Sequence, residues 1–192
     1  NDGIPDLLVG SYERTLHYYQ ANYGGVGSTL VGLNLIPNGR DPFRAFITFY
    51  SAVPVRVDLN GDGKMDLVVG NGYYRSTTYL KNTATDPTAP TFEEISNNPF
   101  NNLPNKIWYF HPTFADLDGD GDFDFLMGGT SNLYYLQNTG TKFNPMFVQR
   151  TTTAEGNPFA TINSLNYPSP CLVDIDDDGD FDLFLGDRYQ DS

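Results

Sequence analysis

Asp116-Leu-Asp-Gly-Asp-Gly-Asp-Phe-Asp124 is the stretch that decides the fold. It places acidic side chains at alternating positions, turns on glycine, and runs straight into the apolar Phe125-Leu-Met-Gly128. Two other segments align with it without a gap, Asp58-Leu-Asn-Gly-Asp-Gly-Lys-Met-Asp66 and Asp174-Ile-Asp-Asp-Asp-Gly-Asp-Phe-Asp182, and the starts at Asp58, Asp116 and Asp174 are evenly spaced. Asn1-Asp-Gly-Ile-Pro-Asp6 matches the last six positions, and its final Asp precedes Asp66 by nearly the same interval, so it reads as a fourth loop with its first half cut off. Self-similarity at a fixed period marks a repeat architecture.

The repeat extends beyond the loops. Each is followed by a short apolar run closed by glycine, Leu7 to Gly10, Leu67 to Gly70, Phe125 to Gly128 and Leu183 to Gly186, which reads as a buried strand. Pro54, Pro112 and Pro170 each stand shortly ahead of a loop, at the same offset, and fit strand starts, where a missing N–H is tolerated. Alternation after these prolines puts Val55, Val57 and Leu59 on one face, matched by Thr113, Ala115 and Leu117 and by Cys171, Val173 and Ile175, so Cys171 is expected to be a small buried thiol. A third strand is expected at Leu16–Tyr19, Thr77–Leu80 and Leu133–Leu136, and a fourth at Thr29–Leu33, Thr91–Ile95 and Met146–Gln149. Asp41-Pro-Phe43, Asn98-Pro-Phe100 and Asn157-Pro-Phe159 recur at a near-constant distance before the complete loops.

Four antiparallel strands in every repeat unit describe a β-propeller blade. The expectation is an all-β, partial propeller of about three blades. A partial first blade spans 1–50 and starts inside a loop, two blades span 51–108 and 109–166, and a partial fourth spans 167–192. The chain reads as a fragment of a longer propeller, because a closed ring needs about 4–8 blades.

Composition agrees: 39% hydrophobic and 15% aromatic residues can form a core, and 19 Gly with 13 Pro suit many short strands joined by turns. The net charge of −13 argues against a nucleic-acid backbone as partner and for cations. A single cysteine forbids an intrachain disulfide, and no apolar run is long enough for a membrane span.

A hard divalent cation needs six to eight oxygens around a sharp turn. Positions 1, 3 and 5 offer side-chain oxygens: Asp58, Asn60 and Asp62; Asp116, Asp118 and Asp120; Asp174, Asp176 and Asp178. Glycine at position 6 permits the turn, position 7 offers the carbonyl of Lys64, Asp122 or Asp180, and Asp66, Asp124 or Asp182 closes the site at position 9. An EF-hand is excluded, since its closing glutamate position holds Val69, Met127 or Leu185. Oxygen-only donors favour Ca²⁺ over zinc, giving three complete sites and one truncated site through Asp2, Ile4 and Asp6. Repetition of the site points to a structural role for the metal.

With these loops, and with Tyr135-Leu-Gln-Asn-Thr-Gly140 ending a third strand, the whole chain resembles the FG-GAP or VCBS repeats of integrin α-subunit-like propellers and of large surface proteins. The resemblance implies a seven-bladed propeller with calcium between strands one and two of a blade, used for adhesion or ligand binding.

Strand alternation puts the 1–2 and 3–4 turns at one end and the 2–3 turns and blade connections at the other. That second end carries the least repetitive residues, and the candidate ligand contacts are Tyr12, Arg14, Tyr50, Tyr73, Tyr74, Arg75, Trp108, Tyr109, His111 and Tyr167. No nucleophile elbow, P-loop, zinc signature or dinucleotide fingerprint is present, so no catalytic residue is assigned. The function expected is a non-enzymatic, extracellular or cell-surface adhesion or protein-interaction module. The alternatives are a glycan-binding propeller and a structural repeat of a surface filament or appendage, with further blades or copies of the same protein as neighbours.

Overall fold

The computed structural model describes residues 6–12, 15–23, 30–37, 41–46, 51–72, 77–86, 89–103, 110–163 and 165–188. These residues form four antiparallel sheets. The first holds β1 (Leu7–Gly10), β2 (Leu16–Tyr23) and β3 (Leu30–Leu35). The second holds β4 (Ala52–Val57), β5 (Asp66–Asn71), β6 (Thr77–Asn82) and β7 (Phe92–Glu94). The third repeats that arrangement with β8 (His111–Ala115), β9 (Asp124–Gly128), β10 (Leu133–Asn138) and β11 (Phe147–Arg150), and the fourth pairs β12 (Ser169–Val173) with β13 (Asp182–Gly186). Strands are adjacent in sequence order within every sheet, the up-and-down meander of a propeller blade, and the array is not closed. No helix among the described residues is long and apolar enough to cross a membrane.

Register repeats along with sequence. Val55 faces Val68, Thr113 faces Leu126 and Cys171 faces Phe184; two residues on, Val57, Ala115 and Val173 face the ninth-position acids Asp66, Asp124 and Asp182. Because side chains alternate across a strand, each sheet shows one face to the sheet before it and one to the sheet after it. Val57, Val68 and Tyr79 of the second sheet meet Phe114, Phe125, Met127 and Leu136 of the third. Leu67, Val69 and Leu80, on the other face of the second sheet, meet Leu8, Leu16 and Tyr18 of the first. Ala115, Leu126 and Tyr135 of the third meet Leu172 and Leu183 of the fourth.

The recurring Asx-Pro-Phe segments plug these seams. The side-chain Oδ1 of Asp41, Asn98 and Asn157 accepts from the N–H of Phe43, Phe100 and Phe159, at 2.9, 3.0 and 2.8 Å. This Asx turn aims each ring inward. Phe100 lies against Phe114, Phe125 and Phe147, with the nearest ring centroids 5.3 Å apart. Burial of such a ring contributes about 1.5–3 kcal/mol.

The glycine that closes each second strand sits where neighbouring sheets touch. A Cβ on Gly10 would come 1.9 Å from the carbonyl oxygen of Ala52, on Gly70 2.4 Å from that of Phe110, and on Gly128 1.8 Å from that of Pro168. Hydrogen bonds from Ala52 N–H to the Ser11 carbonyl (3.3 Å) and from Phe110 N–H to the Asn71 carbonyl (3.4 Å) accompany two of these approaches. Gly186 meets only its own partner strand, at 3.7 Å.

The expectation for Cys171 is overturned: the thiol is exposed. Its face of the β12–β13 sheet corresponds to the one that Val55 and Thr113 turn toward the following sheet, and no described residue covers it. Val173 and Phe184 on the same face are exposed for the same reason.

Replacing Gly128 with alanine is expected to cost about 3 kcal/mol, because the clash is with backbone that cannot swing aside. Gly186→Ala is expected to stay within about 0.5 kcal/mol of the parent. Urea denaturation of both variants checks this, and equal costs would show that the glycine is not a sheet-to-sheet contact.

Candidate functional site

The three complete loops fold alike, and their own carboxylates organise them. Asp58 Oδ1 and Oδ2 accept from the N–H groups of Asp62 and Gly63, at 3.2 and 2.9 Å. Asp116 does the same with Asp120 and Gly121 (3.1 and 2.9 Å), and Asp174 with Asp178 and Gly179 (3.2 and 3.0 Å). The fifth-position carboxylates Asp62, Asp120 and Asp178 in turn accept from the N–H of Lys64, Asp122 and Asp180. Two residues per loop take the left-handed conformation. Position 6 does so at Gly63, Gly121 and Gly179, with φ of 81°, 93° and 95°. Position 4 does so at Gly61 (66°), Gly119 (77°) and Asp177 (60°), a requirement the sequence reading did not anticipate.

This winding brings acidic oxygens together. Asp116, Asp118 and Asp120 each place an oxygen within 4.8 Å of the others, and so do Asp174, Asp176 and Asp178. Asp122 Oδ1, beside the first cluster, is buried and has no hydrogen-bond partner among the described residues. Burial, followed by the charges of Asp120, Asp118 and Asp116, pushes the Asp122 carboxyl above its ordinary range. Crowded like charge, an unpartnered buried oxygen and an oxygen-only donor set fit a hard divalent cation. In the Asp58 loop, position 3 is an amide: Asn60 Nδ2 donates to Asp66 Oδ2 at 3.0 Å, and Lys81 Nζ lies 3.9 Å from Asp62 Oδ2. Gln137 Nε2 donates to Asp118 Oδ2, and Gln137 Oε1 accepts from Arg150 Nε at 2.8 Å.

The ninth-position acids have a second environment. Asp66 and Asp124 are each 1% exposed, at the start of the buried strands β5 and β9. Asp66 Oδ1 accepts from Asn82 N–H at 2.8 Å and Oδ2 from the Tyr79 hydroxyl at 2.6 Å. Asp124 repeats this with Asn138 N–H at 2.7 Å and Tyr135 at 2.9 Å. Asp6 repeats it with Ala21 N–H at 3.0 Å and Tyr18. Burial raises Asp66 and takes Asp124 up to about 6, outweighing the hydrogen bonds that oppose it. Burial and the neighbouring carboxylate push Tyr79 and Tyr135 up as well, so the phenols remain donors. Asp182, which faces no described third strand, is exposed and accepts only from Ile175 N–H at 3.3 Å among the described contacts. Sequence reasoning missed the tyrosine; its signal was the alignment of Tyr18, Tyr79 and Tyr135 in the third strands.

At the opposite end, Tyr12 is 66% exposed. His111 and Tyr167 are half-buried and line one cavity together with Ser169, Gly186, Asp187 and Arg188. Burial lowers the pKa of His111. Tyr167 has a left-handed backbone (φ 51°), donates its N–H to the Thr130 carbonyl at 2.9 Å, and carries the Arg188 guanidinium 5.3 Å above its ring. Asp2, Ile4, Arg14, Tyr50, Tyr73, Tyr74, Arg75, Trp108 and Tyr109 lie outside the described residues.

Two expectations follow. Tyr135→Phe leaves Asp124 Oδ2 buried without its hydroxyl donor and is expected to cost about 1–3 kcal/mol by chemical denaturation, whereas Tyr134→Phe has little effect. His111 binds its proton less readily folded than unfolded, so its contribution to stability is present above the ordinary histidine pKa and is lost as pH falls below it. A pH series between about 7 and 5 is expected to destabilise the parent more than His111→Asn; parallel curves would contradict this.

The model for FG-GAP-like repeats matches residues 58–127, a segment that begins at the first complete aspartate loop and ends in β9 after the second. No curated protein and no solved structure gave a match. The matched segment is thus similar to FG-GAP repeats, and its aspartate loop recurs outside the match at Asp174.

Proposed function

We propose that the protein is a calcium-stabilised, non-enzymatic ligand-binding module that works outside the cell. Calcium in the aspartate loops stiffens one end of each blade, and recognition takes place at the other. One observation carries the reading: the same carboxylate-wound turn occurs three times at the same sheet position, twice with three acidic oxygens within 4.8 Å of one another. A catalytic centre is ordinarily a single constellation, whereas a site built into successive repeats supports each of them. Metal-free loops hold unneutralised like charges against the strands, so cation binding favours the folded state. Calcium at millimolar levels suits sites with dissociation constants of about 10⁻⁴–10⁻³ M, the range of extracellular modules.

Protein freed of metal by chelation is expected to melt at a lower temperature and to regain its Tm when calcium is added. At ten times its dissociation constant, each site adds about 1.4 kcal/mol of stability. Asp120→Asn and Asp178→Asn are expected to reduce the recovery and the heat measured by titration calorimetry. A Tm indifferent to both chelator and calcium removes the metal from this reading.

A further inference from the structure

The three acidic turns wind alike but differ in charge. Within its first seven positions the Asp116 loop holds four acids, Asp116, Asp118, Asp120 and Asp122, and the Asp174 loop holds five, since Asp177 joins the alternating set. The Asp58 loop holds only Asp58 and Asp62, with Asn60 at position 3 and Lys64 at position 7. The third strand widens the difference. Two residues beyond the tyrosine that grips the ninth-position acid stand Lys81 in β6 and Gln137 in β10, and each reaches the loop beside it. Lys81 Nζ lies 3.9 Å from Asp62 Oδ2, whereas Gln137 brings a neutral amide to Asp118 Oδ2. With Lys81 counted, two lysines stand against two acids in the first seven positions of the Asp58 loop. Asn60 is engaged through both of its polar atoms: Oδ1 accepts from Asp62 N–H at 3.0 Å, and Nδ2 donates to Asp66 Oδ2 at 3.0 Å and to the Tyr79 hydroxyl at 3.3 Å.

We propose that Lys81 is the built-in counter-ion of the Asp58 loop and sets the calcium affinity of that loop well below that of the Asp116 loop. The inference ranks the loops within the calcium reading given above and rests on that reading. The affinity of an oxygen-lined calcium loop is tuned by how many of its ligands are charged. The backbone does not distinguish the two loops. Gly63 and Gly121 donate to Asp58 and Asp116 at the same 2.9 Å and share the left-handed conformation, so the difference lies in the side chains. A partly exposed ion pair such as Lys81–Asp62 contributes little to folding. Its effect on a divalent cation is larger: even at the dielectric constant of water, repulsion from a unit charge at about 4 Å lowers affinity at least about tenfold. The Lys81 ammonium therefore competes for Asp62 and, without metal, offsets the charge that the turn gathers. Gln137 adds no charge at the equivalent place, and the bond from Arg150 Nε to its Oε1 turns Nε2 toward Asp118.

The test titrates calcium into the whole chain, stripped of metal by chelation, and follows the amides of Gly63, Gly121 and Gly179 in proton–nitrogen NMR spectra, one reporter for each loop. Gly121 is expected to reach its midpoint at a calcium concentration at least about tenfold below that of Gly63. Lys81→Gln gives β6 the residue that β10 already carries, and is expected to lower the Gly63 midpoint about tenfold while leaving that of Gly121 in place. Gln137→Lys is expected to raise the Gly121 midpoint about tenfold. Coincident Gly63 and Gly121 midpoints in the parent, or a Gly63 response that Lys81→Gln leaves unchanged, overturns the inference. Either result with Gly121 still responding to calcium leaves the metal reading standing. Silence at all three glycines strikes the metal reading, and the ranking of the loops falls with it.

Discussion

A buried carboxylate at the ninth loop position ties the repeat unit together. Asp66 and Asp124 each end an acidic turn and begin a fully buried strand, and each is gripped by a backbone N–H and a tyrosine hydroxyl of the third strand. Burying a carboxyl is unfavourable unless its oxygens are satisfied, and two charge-assisted hydrogen bonds offset that cost only when the third strand is in register. The acid thus couples loop, second strand and third strand into one unit. Asp182 shows the converse: it lies opposite Val173 as Asp66 lies opposite Val57, yet it is exposed, with no described third strand beside it.

Units of this kind stack because each sheet is apolar on both faces. The close approach of neighbouring backbones at Gly10, Gly70 and Gly128 sets how near the sheets come, and Phe43, Phe100 and Phe159 fill the wedge that remains. The outermost faces carry the same kinds of residue without cover: Leu7, Val9, Leu33 and Leu35 on the first sheet, Val173 and Phe184 on the last. The two ends of the strands are freed for different work. One is occupied by carboxylate-wound turns, and Gly61 of one such turn lies against Lys142 and Phe143 in the 3–4 turn of the next sheet. The other end, where His111 and Tyr167 lie, carries the connections whose sequences repeat least, and that leaves it open to specialisation.

Most of the framework was legible in the sequence. The loops, the four strand types and the blade meander follow from patterns that run from a single loop to a whole blade, repeated often enough to separate signal from chance. The winding of each acidic turn was legible too, since it is made by short-range hydrogen bonds within the loop. Three features were not. Cys171 aligns with Val55 and Thr113, but burial depends on the sheet that lies next to it. Asp177 occupies a left-handed position that only the equivalent glycines hinted at. The tyrosine partner of the ninth-position acid lies on another strand, beyond the reach of any pattern within the loop.

By itself, then, the sequence determined the repeat, the all-β class and the acidic turns, because each is local and written by the period of side chains along one short segment. Tertiary structure alone decided which faces are covered, which carboxylate is buried against a phenol, and which residues share the far cavity. His111 and Asp187 belong to different repeat units and stand far apart in the chain. They meet at one cavity because two neighbouring sheets begin and end their strands at the same level, a proximity set by stacking that no local pattern encodes.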